Sequence, residues 1–308
     1  MKPTVAPELT QTRFSVDKLS LTLKVRKVRW ADMRFFLQSR YDVRREGKTY
    51  REHAMIKGPE GNETLLLQWS PYLGGSLPWA RVEWNPAKFA GWEDVLETAV
   101  RPFLKHGWGD SHITRIDPAV DYPVALQEHV YYASNHQGQL HYTREGIETI
   151  YLGSPRSNAR VRIYDKAKEL EVTGEQVPDH PLTRIEVQKR STNLSALQIR
   201  ELPDPFARLK IGKPRQEGLD FKYRLYLKEA KKLGVDYVIK QLKWWDKKAL
   251  KLIVLAEKGS IPHPSTVFRM AYGDFCKEHL SYFWRDHRPR VDPKDASEAW
   301  RDRQIQNA

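Results

Sequence analysis

Alternating polar and apolar residues predict β-strands in the first two thirds of the chain. Residues 19–25 alternate strictly, which is typical of a strand with one buried face. Further strand patterns cover residues 64–69, 80–84, 112–122, 147–152, 159–166 and 182–190. Apolar spacing predicts a helix over 92–104 and is compatible with one over 124–133, whereas 30–41 fits either a helix or a strand. Strands mixed with helices predict an α+β domain that ends near residue 200.

Beyond residue 200 the apolar spacing becomes helical. Segments 221–233 and 237–258 are predicted helices that Gly234 and Gly259 would end. Both are rich in lysine, which indicates either an ordinary solvated surface or a contact with a DNA backbone. From about residue 286 the chain is charged and is predicted to be flexible. The sequence therefore predicts a domain over 1–200, a basic helical region over 201–285 and a tail over 286–308.

The segment 158–168 combines a tyrosine with a row of cations. If the segment is one strand, its side chains alternate between two faces. One face carries Arg160, Arg162, Tyr164, Lys166 and Lys168, and the other is mostly apolar. A phosphodiester at this face would meet neutralising charge and a hydroxyl nucleophile together. The alternative is a solvated strand face on which the tyrosine packs against lysine stems.

Acidic residues recur two positions after an arginine in three predicted strands. The pattern occurs at 81–83, 115–117 and 184–186, so Glu83, Asp117 and Glu186 each share a face with an arginine. Carboxylates converging on one sheet face suit Mg²⁺ or Mn²⁺. The alternative is a network of structural ion pairs. Asp121 is a weaker candidate ligand because Pro118 is expected to interrupt its strand.

The composition gives the chain a strong positive charge. Lys and Arg number 52 against 39 acids, a formal charge of +13, which favours nucleic acid or an anionic membrane surface as a partner. No apolar run approaches the ~18 residues of a membrane-spanning helix, and the N-terminus lacks a signal-peptide pattern. The single Cys276 excludes an internal disulfide and a cysteine-rich zinc site. A cytoplasmic protein that binds nucleic acid, with no membrane partner, is expected.

Four motifs in order resemble a known family. They are residues 114–121, 151–154 with 156–158, 162–166 and 184–188. Together they resemble the replication-initiation proteins of rolling-circle plasmids of the Gram-positive type, to which filamentous-phage initiators and some conjugative-element relaxases look related. The resemblance covers roughly residues 17–195 and does not extend to the C-terminal third.

The resemblance implies a sheet-based nicking domain with an architecture like that of the HUH endonucleases, but with acids replacing the histidine motif. Members of this family cut one DNA strand at an origin and stay attached to its 5′ phosphate through a tyrosine. The matching residue here is Tyr164, flanked by Arg162 and Lys166. Asp117 and Glu186 match positions expected to hold a metal, with Asp121 as a further candidate ligand.

The expected reaction joins Tyr164 to a 5′ phosphate and frees a 3′-hydroxyl. Lys166, the metal or Arg162 would stabilise the tyrosine oxygen. The residues expected to contact DNA are Arg115, Arg156, Arg160, Lys168 and Arg184. The DNA partner is expected to be an origin that is partly single-stranded at the nick; a host helicase and a second copy of the chain are further candidate partners.

Several alternatives remain open from the sequence. Tyr151 and Tyr142 are alternative nucleophiles. A non-catalytic, sequence-specific DNA-binding protein would need the same basic sheet only to hold phosphates. An RNA-binding module that stacks bases on its tryptophans is a third hypothesis.

Overall fold

The computed structural model of the chain describes residues 12–25, 30–45, 50–57, 64–71, 79–104, 107–133, 138–143, 146–213, 219–233, 235–244, 246–248, 250 and 261–284. The predicted tail over 286–308 lies outside these residues. So do the predicted helix stops Gly234 and Gly259.

Strands and helices are interspersed along the chain. The strands are β1 Arg13–Lys24, β2 Val43–Arg45, β3 Tyr50–Lys57, β4 Thr64–Pro71, β5 Trp79–Trp84, β6 Ser111–Tyr122, β7 Val130–Ala133, β8 Gly138–Thr143, β9 Gly146–Leu152, β10 Ala159–Asp165, β11 Thr183–Arg190 and β12 Leu209–Gly212. The helices are α1 Trp30–Arg40, α2 Trp92–Ala99, α3 Lys166–Thr173, α4 Phe221–Leu233, α5 Val235–Gln241 and α6 Pro264–His279. The prediction of mixed α and β structure is confirmed, and the strands form a large antiparallel sheet.

Three predicted elements differ from the structure. Segment 124–133 forms a short 3₁₀ turn, Leu126–Glu128, and then β7, because its Val-Tyr-Tyr run suits pairing with β12. The helix predicted over 92–104 ends at Ala99 and gives way to a 3₁₀ turn that contains Pro102, which lacks the N–H to continue it. The helix predicted over 237–258 is interrupted after Gln241, and residues 251–258 lie outside the described part.

The chain forms two compact units. The first contains residues 1–19, 114–192 and 200–275, and the second contains 20–113, 193–199 and 276–308. Compactness alone does not show which segments fold or act independently. The division predicted at residues 200 and 285 therefore stays a prediction.

The sheet of the first unit has the strand order β1-β6-β11-β10-β9-β8. Its apolar face carries buried residues of the central strands, among them Val120, Ile163 and Ile185. Helices α4 and α5 pack with β7 around a second apolar cluster that includes Val130, Leu227, Ala230, Val235, Val238 and Leu250. Because side chains alternate along a strand, the polar residues of β6, β11 and β10 lie on the face opposite to Val120, Ile163 and Ile185.

Strand β6 runs without a break through Pro118. Its pairing with β11 is in register before the proline, where Ile116 lies opposite Lys189, and resumes at Ala119 opposite Glu186. The expectation that the strand ends at Pro118 is wrong. Because side chains alternate, Asp117 and Asp121 share a face.

In the second unit the strand order is β2-β3-β4-β5-β1. Aromatic side chains form much of its core, and Trp84, Trp92, Trp108, Tyr282 and Phe283 are all nearly inaccessible to solvent. Trp84 and Trp92 are 5.1 Å apart between ring centroids, and Trp108 and Phe283 are also 5.1 Å apart. Within the described ranges, no helix combines the length and apolar character needed to cross a membrane.

Candidate active site

Strand register brings the predicted site residues onto one face of the first unit. Arg162 of β10 lies opposite Glu186 of β11, which lies opposite Ala119 of β6. Two residues along each strand, Tyr164 lies opposite Arg184, which lies opposite Asp121. Directly opposed residues point to the same side of a sheet. The tyrosine, the arginines and the acids therefore lie side by side on one face of the sheet, where most of them are buried.

Lys166 and Lys168 do not continue the β10 face as predicted. The strand ends at Asp165 and α3 begins at Lys166. Asp165 caps the helix, because its Oδ1 accepts a hydrogen bond from the Lys168 N–H at 3.2 Å. Helix α3 ends at Gly174, which has a φ of 71°. The turn from strand to helix brings Lys166 and Glu169 close to the Tyr164 hydroxyl.

Tyr164 is buried, with 3% of its surface exposed. Its hydroxyl donates a hydrogen bond to Glu169 Oε2 at 3.1 Å, and the Arg162 guanidinium carbon lies 3.9 Å from the ring centroid. Burial raises the pKa of Tyr164 far above its usual range; Asp17, Glu186 and Glu169 raise it further, and Arg184 opposes them. The resting tyrosine is therefore a protonated phenol.

Glu169 contacts Tyr164, Lys166 and Arg162 around the tyrosine hydroxyl. The buried Lys166 Nζ donates to Glu169 Oε2, the same oxygen that accepts from Tyr164. Arg162 Nη2 lies 3.5 Å from the other oxygen, Oε1. The lysine expected to stabilise a phenolate is thus held by a carboxylate in this conformation.

Glu186 has an unusual charge environment. Burial raises its pKa to about 7, and the neighbouring Asp117 and Asp17 contribute in the same direction. A hydrogen bond from Gln188 Nε2 at 3.1 Å and Arg162 Nη1 at 3.9 Å partly offset these effects. Glu186 is therefore a buried carboxyl group that needs additional positive charge to ionise fully near neutral pH.

Asp117 is also buried, with a side chain 2% exposed. Arg115 Nε donates to its two oxygens at 2.8 and 2.9 Å. Burial raises the pKa of Asp117, and the hydrogen bonds from Arg115 oppose this. The predicted Arg-x-acid pair on β6 is thus a direct ion pair along one strand.

Asp121 and Arg184 form a buried pair between β6 and β11. Arg184 donates from Nε and Nη2 to the two oxygens of Asp121, both at 2.6 Å, and from Nη1 to Asp17. Both Asp121 oxygens and all three guanidinium nitrogens are engaged. This geometry favours a structural ion pair over the metal role predicted for Asp121 and over the DNA contact predicted for Arg184.

Glu83 belongs to the second unit, whereas the other candidate acids belong to the first. It accepts from Ser20 Oγ at 2.5 Å and forms an ion pair with Arg81. Its surroundings also favour the structural alternative.

A divalent cation fits the chemistry of only part of the predicted ligand set. Among the residues that the structure describes, no group of three or more His, Cys, Asp or Glu side chains is arranged to hold a metal ion. Asp117 and Glu186 are nevertheless buried carboxyl groups with raised pKa values, and Asp117 disfavours ionisation of Glu186. A dication would relieve that repulsion, so these two residues match a hard cation.

The residues predicted to contact DNA fall into two groups. Arg156 is exposed in the β9–β10 connection, and Arg160 lies over the Tyr151 ring at 3.7 Å from the centroid. Lys168 Nζ lies 3.6 Å from Glu148 Oε1 at a half-exposed position. Arg115, in contrast, is bound to Asp117. Cations at the rim of the face are thus better placed for a phosphate backbone than those inside it.

The alternative nucleophiles lie on the neighbouring strands. Tyr151 is half-buried on β9, opposite Arg162. The side chain of Tyr142, on β8, lies outside the described part of the structure. The Tyr164 hydroxyl is hydrogen-bonded to a carboxylate beside a lysine.

Two residues of the site were missed in the sequence. Asp17 lies just before the alternating segment that predicted β1, so the alternation did not indicate on which face of the sheet its side chain lies. Glu169 was hidden by the assumption that the strand continues to residue 168. The available signal was Asp165 followed by an acid in the first helical turn, which is typical of a helix start.

The chain has a distant likeness to a solved structure. No protein-family model matches the chain, and no curated protein matches it. Among solved structures it is similar to "Rolling Circle Replication Initiator Protein from Geobacillus stearothermophilus", with 17% identity and a TM-score of 0.40, over 68% of this chain and 90% of that chain. Likeness at this level establishes neither family nor function.

Proposed function

We propose that the chain is a DNA nickase and strand transferase that initiates rolling-circle replication. Tyr164 attacks a phosphodiester at an origin, which forms a 5′-phosphotyrosine and frees a 3′-hydroxyl. The observation that supports this most directly is the position of the Tyr164 hydroxyl. It lies beside Lys166 and Arg162, on the sheet face that also holds Asp117 and Glu186.

The cations around Tyr164 suit a phosphodiester. Arg162 and Lys166 both contact Glu169 in the resting structure, so a phosphate can attract the same two side chains. In the reaction they would neutralise the charge that develops on the phosphate oxygens. Because one phosphodiester replaces another, attack by the free 3′-hydroxyl can rejoin the strand without ATP.

Asp117 and Glu186 are the residues that we propose to hold Mg²⁺ or Mn²⁺. The ion, when bound, would polarise the phosphoryl group and screen its charge. The two carboxylates would hold the ion, and they belong to the sheet face that carries Tyr164. Asp121 is left to its ion pair with Arg184 in this proposal.

The DNA partner is proposed to be partly single-stranded at the nick. Tyr164 is buried against the sheet, so the scissile phosphate has to bend into the face to reach the hydroxyl. Arg160 shares the β10 face with Arg162, and it would hold the flanking phosphates together with the exposed Arg156 and the half-exposed Lys168. A flexible single strand can follow such a path, whereas a regular duplex is stiffer.

The burial of Tyr164 and the Arg115–Asp117 pair favour a second candidate function. A non-catalytic, sequence-specific DNA-binding protein would use the same cations without needing an exposed hydroxyl or a free metal ligand. The two candidates differ in whether a covalent protein–DNA adduct forms.

A nicking assay separates the two candidates. Supercoiled DNA of the chain's own replicon is incubated with the protein and Mg²⁺ or Mn²⁺, and adducts are resolved on a denaturing gel. Tyr164→Phe is expected to abolish nicking and the adduct while DNA affinity stays within about twofold, since the phenyl ring remains. Tyr151→Phe is the matched control and is expected to retain both. Wild-type protein that binds this DNA but never nicks it would favour the second candidate.

A further inference from the structure

We infer that Glu169 is the proton acceptor for Tyr164 in the nicking step. The inference rests on the proposed function and adds a catalytic residue to it. Glu169 lies in the first turn of α3, five residues after the tyrosine, and its Oε2 accepts the Tyr164 hydroxyl hydrogen bond at 3.1 Å. That distance is within the range over which a general base removes a proton.

The burial of Tyr164 makes such an acceptor necessary. Burial raises the pKa of Tyr164 far above neutral pH, so a preformed phenolate is too scarce to attack. The proton must therefore leave as the oxygen–phosphorus bond forms. Glu169 is the carboxylate already bonded to that proton.

The two cations that contact Glu169 can also contact the substrate. Lys166 donates a hydrogen bond to Oε2, and Arg162 Nη2 lies 3.5 Å from Oε1. A DNA phosphate at the site competes for the same two cations. As they turn toward the phosphate, the Glu169 oxygens lose these two partners, while Oε2 keeps the hydrogen bond from the Tyr164 hydroxyl. Glu169 is thus left facing the proton that has to leave when the substrate is in place.

The proton and bond balance of the step is complete without an oxidant or reductant. The Tyr164 proton passes to Glu169 Oε2 while Tyr164 Oη bonds to phosphorus. The bond from phosphorus to the 3′-oxygen breaks, and that oxygen takes a proton from water. Glu169 then returns its proton to the hydroxide that remains.

The test compares Glu169→Gln with wild type in single-turnover adduct formation on supercoiled replicon DNA, between about pH 6 and pH 9. The Gln side chain keeps the size and a hydrogen-bond acceptor but removes the basic carboxylate. Adduct formation near pH 7 is expected to slow by about 10²-fold or more. The defect is expected to shrink as pH rises, because hydroxide can then take the proton. A merely structural role would not produce that pH dependence.

Glu148→Gln is the matched control. Glu148 is a half-exposed carboxylate that pairs with Lys168 of the same helix as Glu169, at 3.6 Å. Its substitution is expected to leave rate and pH profile at wild-type values. Thermal melting of both variants checks folding, and Glu169→Asp, which keeps a carboxylate, is expected to be slower but to keep the wild-type pH profile.

Three results would overturn the inference, and they are distinguishable. If Glu169→Gln forms adduct at the wild-type rate at every pH while Tyr164→Phe forms none, Glu169 is not the acceptor and the nicking function stands. The same conclusion follows if a folded Glu169→Gln variant is slowed by the same factor at every pH, as a structural role would produce. If wild-type protein forms no adduct, the proposed function fails and the inference fails with it.

Discussion

Arg184 connects carboxylates from two strands inside the first unit. Its side chain is 9% exposed and donates to both oxygens of Asp121 and to Asp17. Isolated charges are costly to bury, so each of the three groups depends on the others. The arginine also lies opposite Tyr164 in the register, so this network lies next to the proposed nucleophile on the neighbouring strand.

Arg184→Met is therefore expected to destabilise the protein strongly. Removing the guanidinium leaves two acids without their partner, which typically lowers the free energy of unfolding by about 3–5 kcal/mol. Urea unfolding measures the change. Arg190→Met, on the same strand but half-exposed with Nη1 on the Pro155 carbonyl, is the control and is expected to cost under about 1 kcal/mol. Equal losses in the two variants would contradict the structural role of Arg184.

The raised pKa of Glu186 predicts that stability depends on pH in the absence of divalent ions. Its pKa is about 7 in the fold against an ordinary 4.5, so the folded state binds more protons than the unfolded state between these values. The contribution of Glu186 to the unfolding free energy then falls as pH rises from about 4.5 to about 7 and is level outside that window. At about 1.4 kcal/mol per pKa unit, the full change is roughly 3 kcal/mol.

Glu186→Gln is expected to remove this dependence. With EDTA present, the variant should match wild type near pH 4.5 and be more stable by about 1–3 kcal/mol at pH 8. Urea unfolding at the two pH values measures this, with the exposed Glu171→Gln as control. A difference between Glu186→Gln and wild type that is the same at both pH values would contradict the shifted pKa.

At the scale of elements, the junction of β10 and α3 determines the chemistry near Tyr164. Asp165 ends the strand and caps the helix. The helix places Glu169 over the tyrosine hydroxyl, which an extended chain could not do, because residues five apart in a strand lie on opposite faces.

Asp165→Ala tests the importance of this junction. Loss of an N-cap carboxylate typically costs about 1 kcal/mol of unfolding free energy. We expect that loss together with a slower nicking reaction, because Glu169 and Lys166 are in the first turn that the cap holds. Asp165→Asn keeps a capping oxygen and is the control, expected to retain stability within about 0.5 kcal/mol. Full activity in Asp165→Ala would show that the cap does not position the site.

At the scale of the whole molecule, the net charge of +13 predicts salt-dependent DNA binding. Each cation that binds a phosphate of a single strand contributes about 0.7 to the steepness with which log affinity falls against log salt. Arg156→Ala, at an exposed position in the β9–β10 connection, is expected to reduce the slope by that amount. Fluorescence anisotropy with a single-stranded oligonucleotide of the origin, over a series of salt concentrations, measures the slope.

Arg44→Ala is the control for this measurement. Arg44 is an exposed arginine of the second unit, with 70% of its side chain accessible and Asp42 at 3.7 Å. The substitution removes the same charge from a different place, so the slope should stay at the wild-type value. Equal reductions in both variants would indicate that binding follows total charge and not the proposed face.

Local patterns predicted much of the fold and part of the site. Alternation located β10 and β11, and the two-residue spacing placed Arg115 beside Asp117 and Arg81 beside Glu83, as observed. These features depend on neighbours in the chain, which the sequence displays directly. The prediction was wrong at Pro118. Proline lacks an N–H and is therefore expected to interrupt a strand, but β6 pairs with β11 on both sides of it.

The sequence by itself determined the strand faces, the positive charge and Tyr164 as the candidate nucleophile. Only the tertiary structure decided which partner each charged residue has. Arg184 binds Asp121 and Asp17, which are 63 and 167 residues away in the chain, and Glu169 reaches Tyr164 only because the chain turns into a helix at Asp165. An ion pair or a proton acceptor depends on distance in space and on burial, and neither quantity is present in residue order.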